Sequence, residues 1–401
     1  RSPSVLAALV LCMAVQTAGF AMFLPLFALR FDSFGADVKA LSTSDMAYAL
    51  TFAFAAPFIG ILADRFGRRP IILLSLAGYV LAFTGYLFAA SAWVLILLRG
   101  LAGIFAAGLL PAMTSIVGDL APENRRAQWI GIVNGGAAAG YVVGPVLGGL
   151  LYDRYGYVVP SAVSIAMAAC ALLLAVVRIP ETYKPAAHPG HRHSTWKLEW
   201  QGLPDRSTLL LLMLITFGVM FAYAFVQPQF MFYAYDELTW TSSQLGLVMS
   251  AYGVAFMVGA FALGQLSDLV GRKPVLVVGL TLFSVQFIGL VILHDVTWIV
   301  LSLIVAGLGN ALYDPALSAI VLDITPSEHT AGILGVKSTV GSLGSVLGPA
   351  LVLLIAPLAG PQVVFLVAAA LVWFLALASG LVLRIPGSID VAHHLAEKAK
   401  P

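Results

Sequence analysis

Arg99, Asp314 and Lys337 each lie inside a long apolar run of the 401-residue sequence. A charged side chain at the centre of a bilayer costs about 2.5–3.5 kcal/mol on insertion scales, so such residues are functional candidates by default. Asp314 lies about nine residues, or roughly 13 Å, from the end of its run. Asn310 is one turn away on the same helical face. Lys337 sits at a similar depth in the next run, which is antiparallel, so the two charges can pair. A carboxylate that is paired in one arrangement and free in another binds a proton when its partner leaves and releases it on return. Asp314 is therefore the candidate proton carrier. A static ion pair that only fixes two neighbouring helices is the alternative. The other eighteen of the nineteen acids fall in loops or at the ends of runs.

These charges need helices to hold them. Hydrophobic residues make up 60% of the sequence and charged residues 10%, against roughly 25% charged in a soluble domain. That composition excludes a soluble protein of this length. Spanning the hydrocarbon core takes about 20 apolar residues. Twelve runs qualify, near 4–29, 44–63, 70–90, 92–118, 127–151, 157–178, 207–233, 241–266, 273–294, 296–322, 329–356 and 361–384. The first is too long for a signal peptide and ends without a small-residue cleavage site. Connections are short except 30–43 and 179–206. The second carries Pro180, Pro185, Pro189 and three histidines (188, 191 and 193), and reads as a cytoplasmic linker. Its Trp196–Trp200 stretch is a candidate interfacial helix. The linker separates an N-terminal six-helix bundle (1–178) from a C-terminal one (207–401) with a short cytoplasmic tail.

Basic residues set the orientation. With both termini cytoplasmic, sixteen Lys and Arg are inside, three outside and two within spans. The two bundles also repeat in sequence. Gly60-Ile-Leu-Ala-Asp64-Arg-Phe-Gly67-Arg68-Arg-Pro70 aligns at an offset of 204 with Gly264-Gln-Leu-Ser-Asp268-Leu-Val-Gly271-Arg272-Lys-Pro274, six identities in eleven. Tyr48 falls on Tyr252, Gly103 on Gly307, Asp119 on Asp323 and Gly144-Pro145 on Gly348-Pro349. Two parallel repeats about an axis normal to the membrane result. Glycine permits the tight turn in each duplicated loop. Arg68 and Arg272 can pair with Asp119 and Asp323, while Asp64 and Asp268 can compensate a helix N-terminus. We read this set as a conformational latch; ordinary basic loops are the simpler alternative.

The duplicated loop resembles the signature loop of the major facilitator superfamily. Gly140-Tyr-Val-Val-Gly144-Pro145-Val-Leu-Gly148-Gly149 matches that superfamily's antiporter motif, and Leu95-Ile-Leu-Leu-Arg99-Gly-Leu-Ala-Gly103 is similar to the arginine motif that accompanies it. Together they resemble the twelve-span drug:proton antiporters. The resemblance implies an all-α membrane protein of two six-helix parallel-repeat bundles, working by alternating access in a prokaryotic inner membrane. It implies proton coupling through Asp314 and Arg99, with Lys337 as the partner of Asp314. Some relatives carry a second acid in the seventh span, where this sequence has Gln227.

Glycines 136, 140, 144 and 148 form one smooth face on which helices can pack closely and slide. Candidate cavity residues at mid-depth are Gln16, Phe23, Tyr48, Asn134, Tyr141, Tyr223, Gln227, Tyr252, Asn310 and Tyr313. Aromatic walls with few polar groups suit a lipophilic ligand. The expected function is proton-coupled efflux of lipophilic cationic or neutral small molecules. Export of organic anions or flipping of amphipathic lipids, or uncoupled transport, are the alternatives. No P-loop, catalytic constellation or metal-ligand set is visible, so the expectation is a non-enzyme without cofactor or metal. Protons are the coupling ion, nucleic acid is no partner, and the chain is expected to act as a monomer.

Overall fold

The computed structural model describes residues 2–122, 125–182, 206–263, 266–325, 330–356 and 358–383. Fourteen helices are found among them: α1 (Ser2–Met22), α2 (Leu26–Asp32), α3 (Val38–Phe66), α4 (Arg68–Phe88), α5 (Ala92–Leu120), α6 (Arg126–Tyr155) and α7 (Val158–Arg178). The second half comprises α8 (Arg206–Asp236), α9 (Ser242–Leu263), α10 (Leu266–Val270), α11 (Arg272–Ile292), α12 (Val296–Ile324), α13 (Thr330–Ile355) and α14 (Pro361–Val382). Twelve helical segments are long and apolar enough to cross a membrane, with α2 extending the first span. The chain is an integral membrane protein. Most of the 179–206 segment, including the Trp196–Trp200 stretch and the three histidines, lies outside the described residues, as does the C-terminal tail.

One boundary corrects the sequence reading. Helix α3 begins at Val38, six residues before the apolar run, because Asp37 caps it by accepting from the Lys39 amide at 3.0 Å. With α2 helical to Asp32, the expected long 30–43 connection shrinks to a tight loop. Asp45 therefore lies two turns inside a spanning helix, not at its end. Ser91 and Asp295 cap the repeat-related helices α5 and α12 in the same way.

Each half packs its helices alike. In the first, α1 lies against α6 and α7, and α5 against α3 and α4; in the second, α8 lies against α13 and α14, and α12 against α9 and α11. The offset of 204 holds in three dimensions. A side chain at Gly103 would strike the Tyr48 carbonyl, and one at Gly307 would reach the Tyr252 carbonyl at 2.6 Å. The halves meet along α6 with α9 and along α3 with α13, a symmetry-related pair of seams. Proline marks the inner helices: α3, α5, α6, α8, α12 and α13 each contain one in their interior. The outer helices α4, α7, α11 and α14 hold proline only in their first turns.

Candidate functional site

Gly67 and Gly271 turn the chain between α3 and α4 and between α10 and α11, with φ of 102° and 103°, a region open mainly to glycine. These turns define the linker end of the bundle. Arg68 pairs with Asp119 and Arg272 with Asp323, each within its own half. The first pair is extended by the segment after α7. The Glu181 carboxylate accepts from the amides of Arg68 (3.2 Å) and Arg69 (3.1 Å), and Thr182 donates to Asp119 at 2.6 Å. Asp268 is exposed in the first turn of α10. Asp64 lies in the last turn of α3; its side chain, and the whole of Gly264, lie outside the described residues.

The two ends of the inter-half seam differ. At the far end, Gly149 of α6 abuts the main chain of Ser242, and Gly246 of α9 abuts that of Pro145, so any side chain there would collide. The Asp153 carboxylate accepts from the amides of Ser242 (3.1 Å) and Ser243 (2.9 Å) and from the Ser243 hydroxyl. An acid of one half thus caps a helix of the other. Tyr235 adds a bond to the Pro25 carbonyl at 2.6 Å. At the linker end, side chains built at Gly60, Gly131, Gly135 and Gly335 would meet nothing within 4 Å. The halves are closed at the far end and splayed at the linker end.

The smooth glycine face of α6 is a close-packing face within the first half. Gly136, Gly140, Gly144 and Gly148 all pack on the α1 main chain of the same half. Gly149, Pro145, Val146 and Val142 of the motif segment face the other half in these glycine contacts.

Between the halves is a cavity of about 760 Å³. Four charged residues line it: Asp45 and Arg99 from the first half, Asp314 and Lys337 from the second. Arg99 is buried, its Nη2 2.7 Å from Asp45 Oδ1, with its guanidinium over the rings of Phe27 (4.5 Å) and Tyr48 (4.7 Å). Lys337 Nζ lies 3.6 Å from Asp314 Oδ1 and donates to the Ser318 hydroxyl at 2.5 Å. The Asp314 side chain is 51% exposed, and that of Asp45 17%. Asp314 is therefore not the cavity's only acid, and Arg99 pairs with Asp45, across the cavity from Asp314. The sequence reading missed Asp45 because Ser42, Thr43 and Ser44 precede it and look like loop.

Tyr48, Tyr141, Tyr223, Gln227 and Tyr313 also line this cavity. A second cavity of about 390 Å³ adjoins it, and Leu24, Tyr141, Tyr223 and Gln227 line both. Tyr252 lines the second. The remaining four candidates line neither. Phe23 is in the first half's core against Phe27, Phe83 and Tyr86, and Phe20 takes the wall position instead. Gln16 is buried. Asn134 is exposed on the splayed part of α6, and Asn310 donates to the Tyr252 hydroxyl at 2.8 Å. Depth along a helix is legible in sequence, but rotation about its axis by one position is not.

The sequence profile described as Major Facilitator Superfamily matches residues 9–235 and 209–398. The chain belongs to that superfamily. It is a membrane transporter, not an enzyme. It is 28% identical over 380 residues to the multidrug resistance protein MdtG of Proteus mirabilis (strain HI4320), covering 92% of this chain and 93% of that one. It is 29% identical over 317 residues to the class G tetracycline resistance protein of Vibrio anguillarum, covering 75% and 77%. A solved structure of a mutant of the nucleoside transporter NupG superposes with a TM-score of 0.77 at 14% identity, covering 95% of this chain and 100% of that one. In this superfamily member the two charge pairs are not repeat-related. At the offset of 204, Asp45 and Arg99 correspond to Met249 and Leu303, while Leu110 and Val133 occupy the places of Asp314 and Lys337.

Proposed function

We propose that this transporter exports lipophilic cationic or neutral small molecules in exchange for protons, from a bacterial inner membrane with both termini in the cytoplasm. One observation carries the reading: each half brings one acid–base pair to the same cavity, the two at different depths. Asp45 and Arg99 lie about two turns from the far ends of their helices, and Asp314 about three turns from the linker end of α12. The splayed end bears the basic loops, so it is the cytoplasmic one, and substrate enters there. The named function of the relatives, multidrug and tetracycline resistance, agrees with the aromatic walls.

Alternating access then works as an exchange of partners. When the far end opens, a carboxylate drawn away from its base takes a proton from outside. When the linker end opens, the base returns and the proton leaves to the cytoplasm. A cationic substrate competes with the proton for the exposed carboxylate of Asp314. Because both bases have acids beside them, the cavity wall is balanced in charge, which suits a neutral molecule; the Asp314 carboxylate is more exposed than the Lys337 ammonium, which favours a cation over an organic anion. The cavity is complete within one chain, so the unit of transport is the monomer.

Proteoliposomes containing Asp314→Asn or Asp45→Asn test this. Each variant is expected to bind substrate but lose accumulation against a gradient under an imposed pH difference. Full proton-driven accumulation in both variants would overturn the reading.

A further inference from the structure

The second cavity has an origin that the repeat explains. Four of its walls, Met249, Leu303, Leu290 and Gln286, stand where the first half has Asp45, Arg99, Tyr86 and Ala82. Glycine contacts fix that correspondence: Gly85 packs on Leu98 as Gly289 packs on Ser302, and Gly103 on Tyr48 as Gly307 on Tyr252. In the first half the space is filled by the Arg99 guanidinium, its carboxylate and the rings around it. The second half carries uncharged side chains on the same backbone plan, with Leu303 and Leu290 in the places of Arg99 and Tyr86, and a cavity of about 390 Å³ lies among them. Among the described residues no charged one lines it.

Gln286 gives the space its one unusual feature. It lies on α11, an outer helix, yet lines the cavity and is 6% exposed. Its amide nitrogen donates to the Phe283 carbonyl at 3.1 Å; among the described residues its carbonyl oxygen accepts no hydrogen bond. Gln286 lines the cavity, so this oxygen is placed to accept from a donor on a ligand held there. The shared residues Tyr141, Tyr223 and Gln227 form a collar that joins the charged cavity to this one. Among the described residues, Ala138, Tyr141 and Pro145 of α6 and Leu24 are the walls from the other half. Parting α6 from α9 would open the chamber toward the far end.

We propose that this chamber is a second substrate site, selective for uncharged aromatic molecules carrying one hydrogen-bond donor, which Gln286 receives. Cations stay in the charged cavity. The proposal rests on the efflux reading for its direction of transport but not for binding, so binding is what the experiment measures.

Purified full-length protein is titrated calorimetrically with N-phenyl-1-naphthylamine, a neutral aromatic with a single N–H, and with the permanent cation ethidium. Met249→Trp fills the chamber and is expected to weaken the neutral ligand at least tenfold while ethidium stays within twofold. Gln286→Leu removes the acceptor with little change of volume and is expected to weaken the neutral ligand about fivefold or more. Retained ethidium affinity reports that each variant is folded. If Met249→Trp does not fold, Gln286→Leu decides alone. Unchanged affinity for the neutral ligand in the folded variants would overturn the proposal, as would its failure to bind wild type or an equal loss for both ligands. Neutral binding that depends on Gln286 without any proton-driven transport would sustain the chamber and refute antiport.

Discussion

The first half places charge where the second half leaves space. Arg99 and Asp45 are packed among rings in a site whose counterpart in the second half is an uncharged chamber, and Asp314 and Lys337 occupy a site whose counterpart in the first half is Leu110 and Val133. Backbone geometry is shared down to single glycine contacts. Duplication has therefore conserved how helices pack and released what they carry. The two pairs also differ physically: Arg99 is 4% exposed, while Asp314 is half open to the cavity. A buried pair is sensitive to loss of one member; an exposed one is not.

That difference sets a scale of expected effects. Arg99→Ala leaves the largely buried Asp45 carboxylate without its base and should cost about 3–5 kcal/mol, the usual result of breaking a buried pair. Heat-driven unfolding in detergent reads the loss, and a loss under about 1 kcal/mol would place the pair in water-like surroundings. Next come Gly103→Ala and Gly307→Ala. Each pushes a methyl group into a tyrosine carbonyl, at about 1–3 kcal/mol for overpacking, and the larger loss is expected at Gly103, where the added carbon also strikes the Thr51 hydroxyl. Lys337→Ala should change stability by less than about 1 kcal/mol, since Asp314 remains exposed, while abolishing proton-driven accumulation. Smallest of all is the double replacement Asp45→Met with Arg99→Leu, which gives the first half the second half's residues. Exchanging a buried pair for apolar groups is often neutral or stabilising, so the melting temperature should hold or rise while coupling is lost. Coupling that survives there would assign the whole proton task to Asp314.

Much of this plan is written in the sequence, for physical reasons. Span number follows from apolar run length, and the duplication from the loops around Gly67 and Gly271. Asp314 and Lys337 stand out because their neighbours are apolar. Asp45 did not, because a capped helix can begin in polar residues before hydropathy rises, and Asp37 does that here. Phe20 and Phe23 show a second limit: adjacent turns of one apolar helix look alike until neighbouring helices fix the rotation. The chamber shows a third. It lies among residues from several helices of both halves, and no local pattern reports an enclosed volume.

The proline pattern bears on where the molecule yields. A proline inside a helix leaves the carbonyl four residues earlier without its amide partner, and all six helices so interrupted belong to the inner set. The outer helices α4, α7, α11 and α14 keep unbroken ladders past their first turns. Amide hydrogen exchange in a soluble domain is slowest at the centre and fastest at the rim. Here the order should invert, with the most durable protection in the lipid-facing helices and the earliest exchange beside the central prolines. A transporter of this build is an outer frame of rigid staves around a jointed interior.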